Sequence, residues 1–300
     1  MLLAEFIRDG IARLETLYPS PEARGLVLML LAEKLGTTSY THIIEPRTAV
    51  PEERQAELEN DLRRLCSGEP IQYVLGVAEF CGHRFAVGPG VLVPRPETEL
   101  LVARSVRFLR ELELDRPPRV LDLCTGSGCI AWSIALEIRD AQVVGVDWSE
   151  AALRYASTQF PAEDGRPENQ FPLRLSAANG FPVFLQADVL DTEQDFPFGP
   201  FDLIVSNPPY VCESEKARMR PNVLDWEPPM ALFVPDADPL VFYRAVARWA
   251  QRFLRPGGAG IVEINETLGP ETAALFREAG FKNVQNLRDF SEKERFVLFA

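Results

Sequence analysis

The sequence has 300 residues, a length that fits two domains or one large one, and its hydrophobic fraction of 46% is ordinary for a globular chain that buries a core. Acidic residues outnumber basic ones by 44 to 31, for a net charge of -13. This balance argues against a protein that holds duplex nucleic acid by its phosphates, so we expect a protein or small-molecule partner and no direct nucleic-acid partner.

The cysteines and the N-terminal residues exclude further classes. Five cysteines and two histidines lack the spacing of metal ligands, so we predict no metal site. The first ten residues carry acids within their apolar run, unlike a signal peptide, and no window is long and apolar enough to span a bilayer. We therefore expect a cytoplasmic, monomeric protein with reduced thiols and no membrane partner.

Residues 1–68 are predicted to form a small helical domain. Helical spacing covers Leu2 to Tyr18, Pro21 to Leu35 and Pro51 to Cys66, and the last two segments open with Pro-Glu. The second segment is apolar nearly all round, which is typical of the centre of a bundle. The composition leaves two interpretations open: a structural cap, or a module that docks a macromolecular substrate.

Residues 69–99 are predicted to form a β-hairpin and a linker arm. Apolar residues alternate on both sides of Cys81-Gly82, and Val91-Leu92-Val93 leads into Pro94-Arg95-Pro96-Glu97-Thr98-Glu99. Leu100 to Leu112 then has helical spacing, with Thr98 as the expected N-cap. Arg95 and the glutamates fit either solvated linker charges or, because two prolines bracket the arginine, a fixed guanidinium.

Residues 100–300 are predicted to form the second domain, in which strand and helix patterns alternate from Pro117 onwards. This alternation indicates a parallel sheet covered by helices on both faces. A polar stretch between Gln159 and Gly180 is interpreted as a surface insertion. The predicted elements, in chain order, are strand Arg119–Leu123, helix Gly128–Ile138, strand Gln142–Asp147, helix Ser149–Phe160, strand Val183–Ala187 and strand Phe201–Ser206.

A glycine-rich turn follows the first of these strands and predicts nucleotide binding. In Asp122-Leu-Cys-Thr-Gly-Ser-Gly128, glycines at 126 and 128 let the backbone approach a ligand at a helix N-terminus. Asp147 ends the next strand, where a carboxylate takes ribose hydroxyls, and Asp188 follows the third strand, where an acid can accept from an adenine amine. Each acid alone is typical of a loop or cap, but three at successive strand ends favour a nucleotide.

The nucleotide itself is the next question. Gly126-x-Gly128-x-x-Ala131 also satisfies the dinucleotide fingerprint of NAD-dependent oxidoreductases. S-adenosylmethionine is favoured for two reasons: Asp122 can meet the methionine ammonium but would repel a pyrophosphate, and the loop described next has no evident role in hydride transfer.

That loop is Asn207-Pro208-Pro209-Tyr210, directly after an apolar strand. Two prolines stop strand pairing and stiffen the chain where ligands bind in open α/β sheets. The Asn207 side-chain oxygen and the Pro208 carbonyl can each accept one N–H of a planar NH2 group, and Tyr210 can lie flat against it. Asn-Pro alone is typical of a strand-ending turn, whereas the full motif favours a catalytic loop.

Together with Val93-Pro-Arg-Pro-Glu-Thr-Glu99, these motifs resemble the bacterial release-factor glutamine methyltransferases, which modify the glutamine of the Gly-Gly-Gln motif in peptide chain release factors. The similarity spans about residues 68–300 and includes Glu227-Pro-Pro-Met-Ala-Leu232 and Pro256-Gly-Gly258. It implies an α/β fold, a seven-stranded doubly wound Rossmann-like sheet with a small N-terminal helical domain joined by a β-hairpin. It also implies S-adenosyl-L-methionine as cofactor and a peptide chain release factor as protein substrate.

The resemblance completes the predicted site and the remaining strands. We expect strands Ala259–Ile264, Phe281–Gln285 and Arg295–Phe299, the last inserted antiparallel at the edge of the sheet, and a helix Asp238–Leu254. Glu263 ends a strand near the cofactor face and fits either a further site acid or a buried, paired carboxylate, of which the second is favoured. The predicted catalytic residues are Asn207, Pro208, Pro209 and Tyr210; the substrate-positioning residues are Arg95, Glu97 and Glu227; the cofactor-binding residues are Asp122, Cys124, Thr125, Gly126, Ser127, Gly128, Asp147, Trp148, Asp188, Val189 and Asn207.

Two departures from the family pattern leave the protein substrate open. Cys124 stands where a glycine is common, and the insertion before Val183 lengthens the approach to the adenine pocket. Phe80-Cys81-Gly82-His83 is also similar to relatives that methylate a glutamine of a ribosomal protein. The competing classes are an adenine-N6 methyltransferase acting on nucleic acid, an NAD-dependent oxidoreductase and a non-catalytic binding module.

Overall fold

The computed structural model describes residues 1–160 and 182–300. The predicted insertion, from residue 161 onwards, lies outside these residues. The helices among them, numbered in chain order, are α1 Leu3–Leu14, α2 Ser20–Leu35, α3 Thr41–Ile44, α4 Glu52–Cys66, α5 Ile71–Leu75, α6 Thr98–Glu111, α7 Cys129–Glu137, α8 Glu150–Thr158, α9 Pro221–Leu224, α10 Val241–Phe253 and α11 Gly269–Glu278. None of these helices is long and apolar enough to cross a membrane.

The strands among the described residues are also numbered in chain order. They are β1 Val77–Phe80, β2 His83–Ala86, β3 Arg119–Leu123, β4 Gln142–Asp147, β5 Val183–Gln186, β6 Phe201–Ser206, β7 Val211–Cys212, β8 Phe233–Val234, β9 Leu254–Glu263, β10 Gln285–Arg288 and β11 Glu294–Phe299. Strands β3, β4 and β6 have the predicted bounds, because each is a short apolar run bounded by turn residues.

One compact unit consists of Met1–Val77 with Arg220–Trp226. The three predicted helices are confirmed as α1, α2 and α4, and α2 contacts α1, α4 and α5. The helix Ile71–Leu75 was not predicted, because it lies in a stretch interpreted as the approach to the hairpin. Gly76 ends it in the left-handed conformation, at a φ of 74°.

The second unit consists of Ala78–Met219 with Glu227–Ala300 and holds the main sheet. The strand order is β10-β11-β9-β6-β3-β4-β5, and β3, β4, β5, β6 and β9 run parallel. Apolar side chains alternate between two cores: Val120 packs with α6, α7 and α8, and the next residue, Leu121, packs with α10 and α11. The predicted doubly wound seven-stranded sheet is confirmed.

The C-terminal strands correct two predictions. Gln285–Arg288, rather than Phe281–Gln285, forms a strand, because the Phe281 ring packs against Phe276 and Phe299 and its N–H completes the turn after α11. The last strand is inserted antiparallel, as expected, but it lies between β9 and β10, so that β10 and not the last strand is at the edge. Its fully buried side chains need a neighbour on each side, whereas the more polar β10 tolerates the edge.

The junction between α10 and β9 also differs from the prediction. The helix begins at Val241 and ends at Phe253, and pairing with β6 starts at Leu254 instead of Ala259. The register then shifts across Pro256-Gly257-Gly258, so these residues form an irregularity within the strand instead of closing the helix. From Ala259 onwards the pairing with β6 is regular and brings the end of β9 beside the end of β6.

Gly260 gives a test of how tightly β9 is packed. A Cβ atom at this position would lie 2.1 Å from the Phe299 ring, which is stacked on Phe276 and fully buried. We expect Gly260→Ala to lower the free energy of unfolding by roughly 1–3 kcal/mol through overpacking, measured by denaturant titration. Gly25→Ala is the matched control, because it lies in a helix with no atom within 4 Å of its Cβ and should be neutral or stabilising. Equal stability of the two variants would contradict the packing described.

Candidate active site

A cavity of about 270 Å³ lies in the second unit at the carboxyl ends of the parallel strands. Four of the segments that line it follow strands: the loops after β3, β4, β5 and β6. The arm from Gly90 to Thr98 and the segment Pro228–Ala231 contribute further lining residues. The topology therefore brings together segments that are distant in sequence, as is usual for ligand sites of open α/β sheets.

The glycine-rich loop after β3 is fixed by its own backbone. Thr125 N–H donates to the Val146 carbonyl at 2.9 Å, and Gly126 N–H donates to Asp147 Oδ2 at 2.8 Å. Gly126 has a φ of 57° and open space beside it, whereas a Cβ at Gly128 would lie 2.9 Å from Ala156 Cβ in α8. Gly126 thus keeps the cavity open, and Gly128 allows helix packing without itself lining the cavity.

These hydrogen bonds distinguish the two candidate nucleotides. A pyrophosphate site needs free loop N–H groups, but those of Thr125, Gly126 and Gly128 already donate to protein oxygens. A carboxylate, Asp147, stands against the loop where a dinucleotide would place negative charge. The loop therefore fits a nucleoside with a cationic or neutral extension and does not fit a dinucleotide.

Asp122 lies behind this loop, with no exposure, and does not line the cavity. Its Oδ2 accepts from the Thr125 hydroxyl at 2.6 Å, and its Oδ1 has no hydrogen-bond partner among the described residues. Burial raises the pKa of Asp122 to about 7, opposed by the Thr125 hydrogen bond and reinforced by the charge of Asp147. Direct contact with a methionine ammonium thus remains a prediction, and in this geometry Asp122 reaches the cavity only through Thr125.

Two further acids, Asp147 and Asp188, line the cavity. Asp147 Oδ1 accepts from Ser149 N–H at 2.8 Å, and burial raises the pKa of Asp147 while backbone N–H groups act against this. Asp188 Oδ1 accepts from Leu190 N–H at 2.9 Å. Trp148 also lines the cavity, and its side chain is 58% exposed, so a flat apolar face is available beside the two acids.

Cys124, Ser127 and Val189 line the same cavity. Cys124 has a φ of 59°, the left-handed conformation that favours glycine, which gives a physical reason for the glycine common at this position in the resembling family. Burial raises the pKa of the Cys124 thiol well above its ordinary value, so the thiol is neutral. Its presence narrows the loop without adding a reactive group.

The Asn-Pro-Pro-Tyr loop presents only part of its motif to the cavity. Asn207 and Pro209 line it, whereas Pro208 and Tyr210 do not. The Tyr210 hydroxyl donates to Glu263 Oε1 at 3.0 Å, and burial raises its pKa well above the ordinary value. The expected position of Tyr210, flat against a substrate amide, is thus not reproduced, because its ring packs with the core formed by α10 and α11.

Asn207 is held through its NH2 group, which donates to Thr98 Oγ1 at 3.2 Å. Its Oδ1 accepts no hydrogen bond from the described residues. Thr98 in turn donates to Glu263 Oε2 at 2.7 Å. The predicted N-cap role of Thr98 is wrong, because Glu97 is the residue before the helix and Thr98 lies in its first turn. The Thr98 hydroxyl bonds to Glu263 of β9 and not to the helix backbone.

Glu263 is a buried, paired carboxylate, as interpreted from the sequence. Its exposure is 1%, and it accepts from both hydroxyls described above. Burial raises the pKa of Glu263, while the hydrogen bonds from Thr98 and Tyr210 and the charge of Arg295 act to lower it. Sequence reasoning missed its link to Asn207, because the partner Thr98 lies 165 positions away and no local pattern connects the two.

The arm that carries Thr98 is anchored by an ion pair. Arg95 donates to Glu227 Oε1 at 2.7 Å, and Glu227 Oε2 accepts from Val93 N–H at 3.0 Å. Arg95 lines the cavity and is a fixed guanidinium, whereas Glu97 is exposed and does not line it. Glu227 is 3% exposed with both oxygens occupied, so it holds the arm and is not free to bind a substrate directly.

Comparisons with known proteins identify the family of the chain. Residues 5–76 match the family model of the PrmC N-terminal domain, and residues 114–270 match a methyltransferase domain. The release factor glutamine methyltransferase of Bacteroides thetaiotaomicron is 39% identical over 295 residues, 98% of each chain. That of Flavobacterium psychrophilum is 32% identical and covers 99% of this chain and 98% of its own.

A solved structure is also similar. It is the release factor-specific protein-(glutamine-N5) methyltransferase of Alicyclobacillus acidocaldarius, 30% identical, with a TM-score of 0.39 over 72% of this chain and 98% of that chain. The two family models and the two curated relatives confirm the resemblance of the motifs, and the cofactor of the methyltransferase domain is S-adenosyl-L-methionine. The chain belongs to the release factor glutamine methyltransferase family and is an S-adenosyl-L-methionine-dependent protein-glutamine methyltransferase.

Proposed function

We propose that this enzyme methylates the side-chain amide nitrogen of the glutamine in the Gly-Gly-Gln motif of peptide chain release factors. The relatives named above are release factor methyltransferases and match nearly the whole chain. The observation that carries the proposal is the state of Asn207, a residue that lines the cavity: its NH2 group donates to Thr98, and its Oδ1 accepts no hydrogen bond from the described residues. A free oxygen at this point suits a substrate that donates N–H groups.

The chemistry of an amide explains why such an acceptor matters. An amide nitrogen is a poor nucleophile because its lone pair is delocalised into the carbonyl. When bound, S-adenosyl-L-methionine supplies a methyl group activated by the positive sulfonium. Asn207 Oδ1 and, by our proposal, the Pro208 carbonyl draw the two N–H groups, orient the nitrogen towards the methyl group and stabilise the positive charge that develops on the nitrogen.

The other site residues are proposed to hold the cofactor. Asp147 and Asp188 have carboxylate oxygens beside the cavity that can accept from ribose hydroxyls and the adenine amine. Trp148 and Val189 supply apolar contacts for the adenine, and the loop from Cys124 to Ser127 borders the methionine part. Arg95, held by Glu227, stiffens the arm that faces this loop.

Residues 1–68 are proposed to dock the release factor, and residues 69–99 to connect them to the methyltransferase domain of residues 100–300. Support comes from an apolar group that faces solvent in the first unit: Tyr40, Ile43 and Ile44 are 60–74% exposed. We also propose that the enzyme acts as a monomer in the cytoplasm, where release factors function.

Asp147→Ala tests the cofactor site. We expect it to weaken S-adenosylmethionine binding by roughly 1.5–3 kcal/mol, because a charged acceptor for hydroxyls is lost, as measured by calorimetry. The matched control is Asp140→Ala, an exposed acid before β4 that does not line the cavity. Equal affinity of both variants would show that the ribose binds elsewhere, and micromolar binding of NAD without binding of S-adenosylmethionine would overturn the cofactor assignment.

Asn207→Ala tests the catalytic loop. We expect the single-turnover rate of methyl transfer to fall by about 100- to 1000-fold, the cost of removing one preorganised polar group from a transition state. The melting temperature should change little, because the side chain is half-buried and makes a single long hydrogen bond. Asn283→Ala, an exposed asparagine of the same unit, is the control. Retained turnover with a lowered melting temperature would instead identify Asn207 as a structural cap.

The substrate is tested with tritiated S-adenosylmethionine and three acceptors side by side. These are a release factor with an intact Gly-Gly-Gln motif, the same factor with alanine in place of that glutamine, and a ribosomal protein. We expect label in the first alone. Equal label in the alanine variant would refute the glutamine assignment, and preferential label in the ribosomal protein would reassign the substrate.

A further inference from the structure

We propose that Glu263 and Thr98 are positioning residues that set which end of the Asn207 carboxamide faces the substrate, and so make the site specific for groups that donate N–H. The inference rests on the proposed function, in which Asn207 Oδ1 accepts from the substrate amide. It adds two residues outside the Asn-Pro-Pro-Tyr motif and a physical basis for discriminating glutamine from glutamate.

The argument begins with the direction of the hydrogen bonds. Both oxygens of Glu263 accept a hydrogen bond: Thr98 donates to Oε2 at 2.7 Å and Tyr210 donates to Oε1 at 3.0 Å. Two donors, together with the charge of Arg295, stabilise the ionised carboxylate against the effect of burial, and an ionised carboxylate only accepts. Thr98 is 2% exposed and Glu263 is 1% exposed, so water has little access to compete for either group. The single hydroxyl proton of Thr98 is therefore committed to Glu263.

The committed proton leaves Thr98 able only to accept from Asn207. The atom of Asn207 within reach, at 3.2 Å, is consequently the NH2 nitrogen, not the oxygen. The two ends of a carboxamide have nearly the same shape, so packing alone would hardly distinguish them. The charge on Glu263 fixes the direction of the Thr98 hydroxyl, and the Thr98 hydroxyl in turn fixes the orientation of the Asn207 carboxamide, with Oδ1 turned away from Thr98.

The same carboxylate also fixes the other end of the motif. Tyr210 is three residues beyond Asn207, and its hydroxyl is held by the second oxygen of Glu263. The hydrogen bonds from Thr98 and Tyr210 both end on this one side chain at the end of β9. From Ala259 onwards, β9 pairs regularly with β6, the strand that leads into the loop. One buried anion thus restrains the first and last residues of the motif against the sheet.

The orientation has a consequence for specificity. With Oδ1 towards the cavity, the site accepts from an amide NH2 and repels the oxygens of a glutamate carboxylate. The inverted carboxamide would present NH2 to the substrate NH2, two donors facing one another. The class of substrate that fits is therefore a primary amide. Its carboxylate analogue is excluded because the carboxylate oxygens would face the oxygen of Asn207.

Glu263→Gln is the first variant, because it keeps the shape and removes the charge. The buried Tyr210 proton favours the new amide oxygen, which leaves the new NH2 donating to Thr98 Oγ1. The Thr98 proton then turns to Asn207 Oδ1 and inverts the carboxamide. We expect the single-turnover rate with the release factor to fall by about 100-fold while the affinity for S-adenosylmethionine stays within about twofold.

Thr98→Val and Thr98→Ser separate the effect of the Thr98 hydroxyl from the effect of the side-chain volume. Valine removes the hydroxyl at similar volume and should lower the rate, whereas serine keeps it and should rescue the rate to within about threefold of the wild type. The decisive measurement is the double-mutant cycle of Glu263→Gln and Thr98→Val, because two residues that act through one hydrogen bond are not additive. We expect Glu263→Gln to cause little further loss of rate when Thr98 is already valine.

The outcomes are distinguishable from one another and from failure of the proposed function. Absence of methyl transfer by the wild-type enzyme to the release factor would refute the proposed function, and with it this inference. If the wild type is active, two results would refute the positioning role alone. One is additive losses of rate in the double-mutant cycle, and the other is a Glu263→Gln variant with a full rate and only a lowered melting temperature. A valine variant as active as the serine variant would do the same.

Discussion

The site depends on a carboxylate that is removed from water. Glu263, at the end of β9, receives hydroxyl protons from Thr98 in the first turn of α6 and from Tyr210 in the loop after β6. A buried anion is tolerated only when donors satisfy it, so three elements distant in sequence must meet at one point. Through Thr98 this requirement reaches Asn207, the residue that we propose to contact the substrate.

On the cofactor side of the cavity, a second carboxylate, Asp147, is satisfied by donors of the backbone. Asp147 accepts from the N–H groups of Gly126 and Ser149, so this carboxylate holds the glycine-rich loop at the end of β4. The parallel register of β3, β4 and β6 places this loop and the Asn-Pro-Pro-Tyr loop at one edge of the sheet. The two loops therefore lie close together because they follow parallel strands, although they are distant in sequence.

The sequence predicted elements well where the information is local. The strands Arg119–Leu123, Gln142–Asp147 and Phe201–Ser206 are continuous apolar runs between turn residues, and their bounds are confirmed. The strand predicted at Phe281–Gln285 was wrong, because its aromatic residue belongs to the core under the sheet and the ladder uses the more polar residues after it. Local propensity does not distinguish these two uses of a phenylalanine.

The residues of the site were predictable from the sequence, but their hydrogen-bond partners were not. Thr98 is a good N-cap by residue type, yet its hydroxyl is used by Glu263, and only the tertiary structure brings the two together. Tyr210 and Glu227 carry the expected residue types, but burial commits their polar groups to other protein atoms.

The most direct test of this account is mass spectrometry of a release factor digested after incubation with the enzyme and S-adenosylmethionine. The account predicts one added methyl group on the side-chain nitrogen of the Gly-Gly-Gln glutamine. A methyl group on any other residue, with that glutamine unmodified, would contradict it.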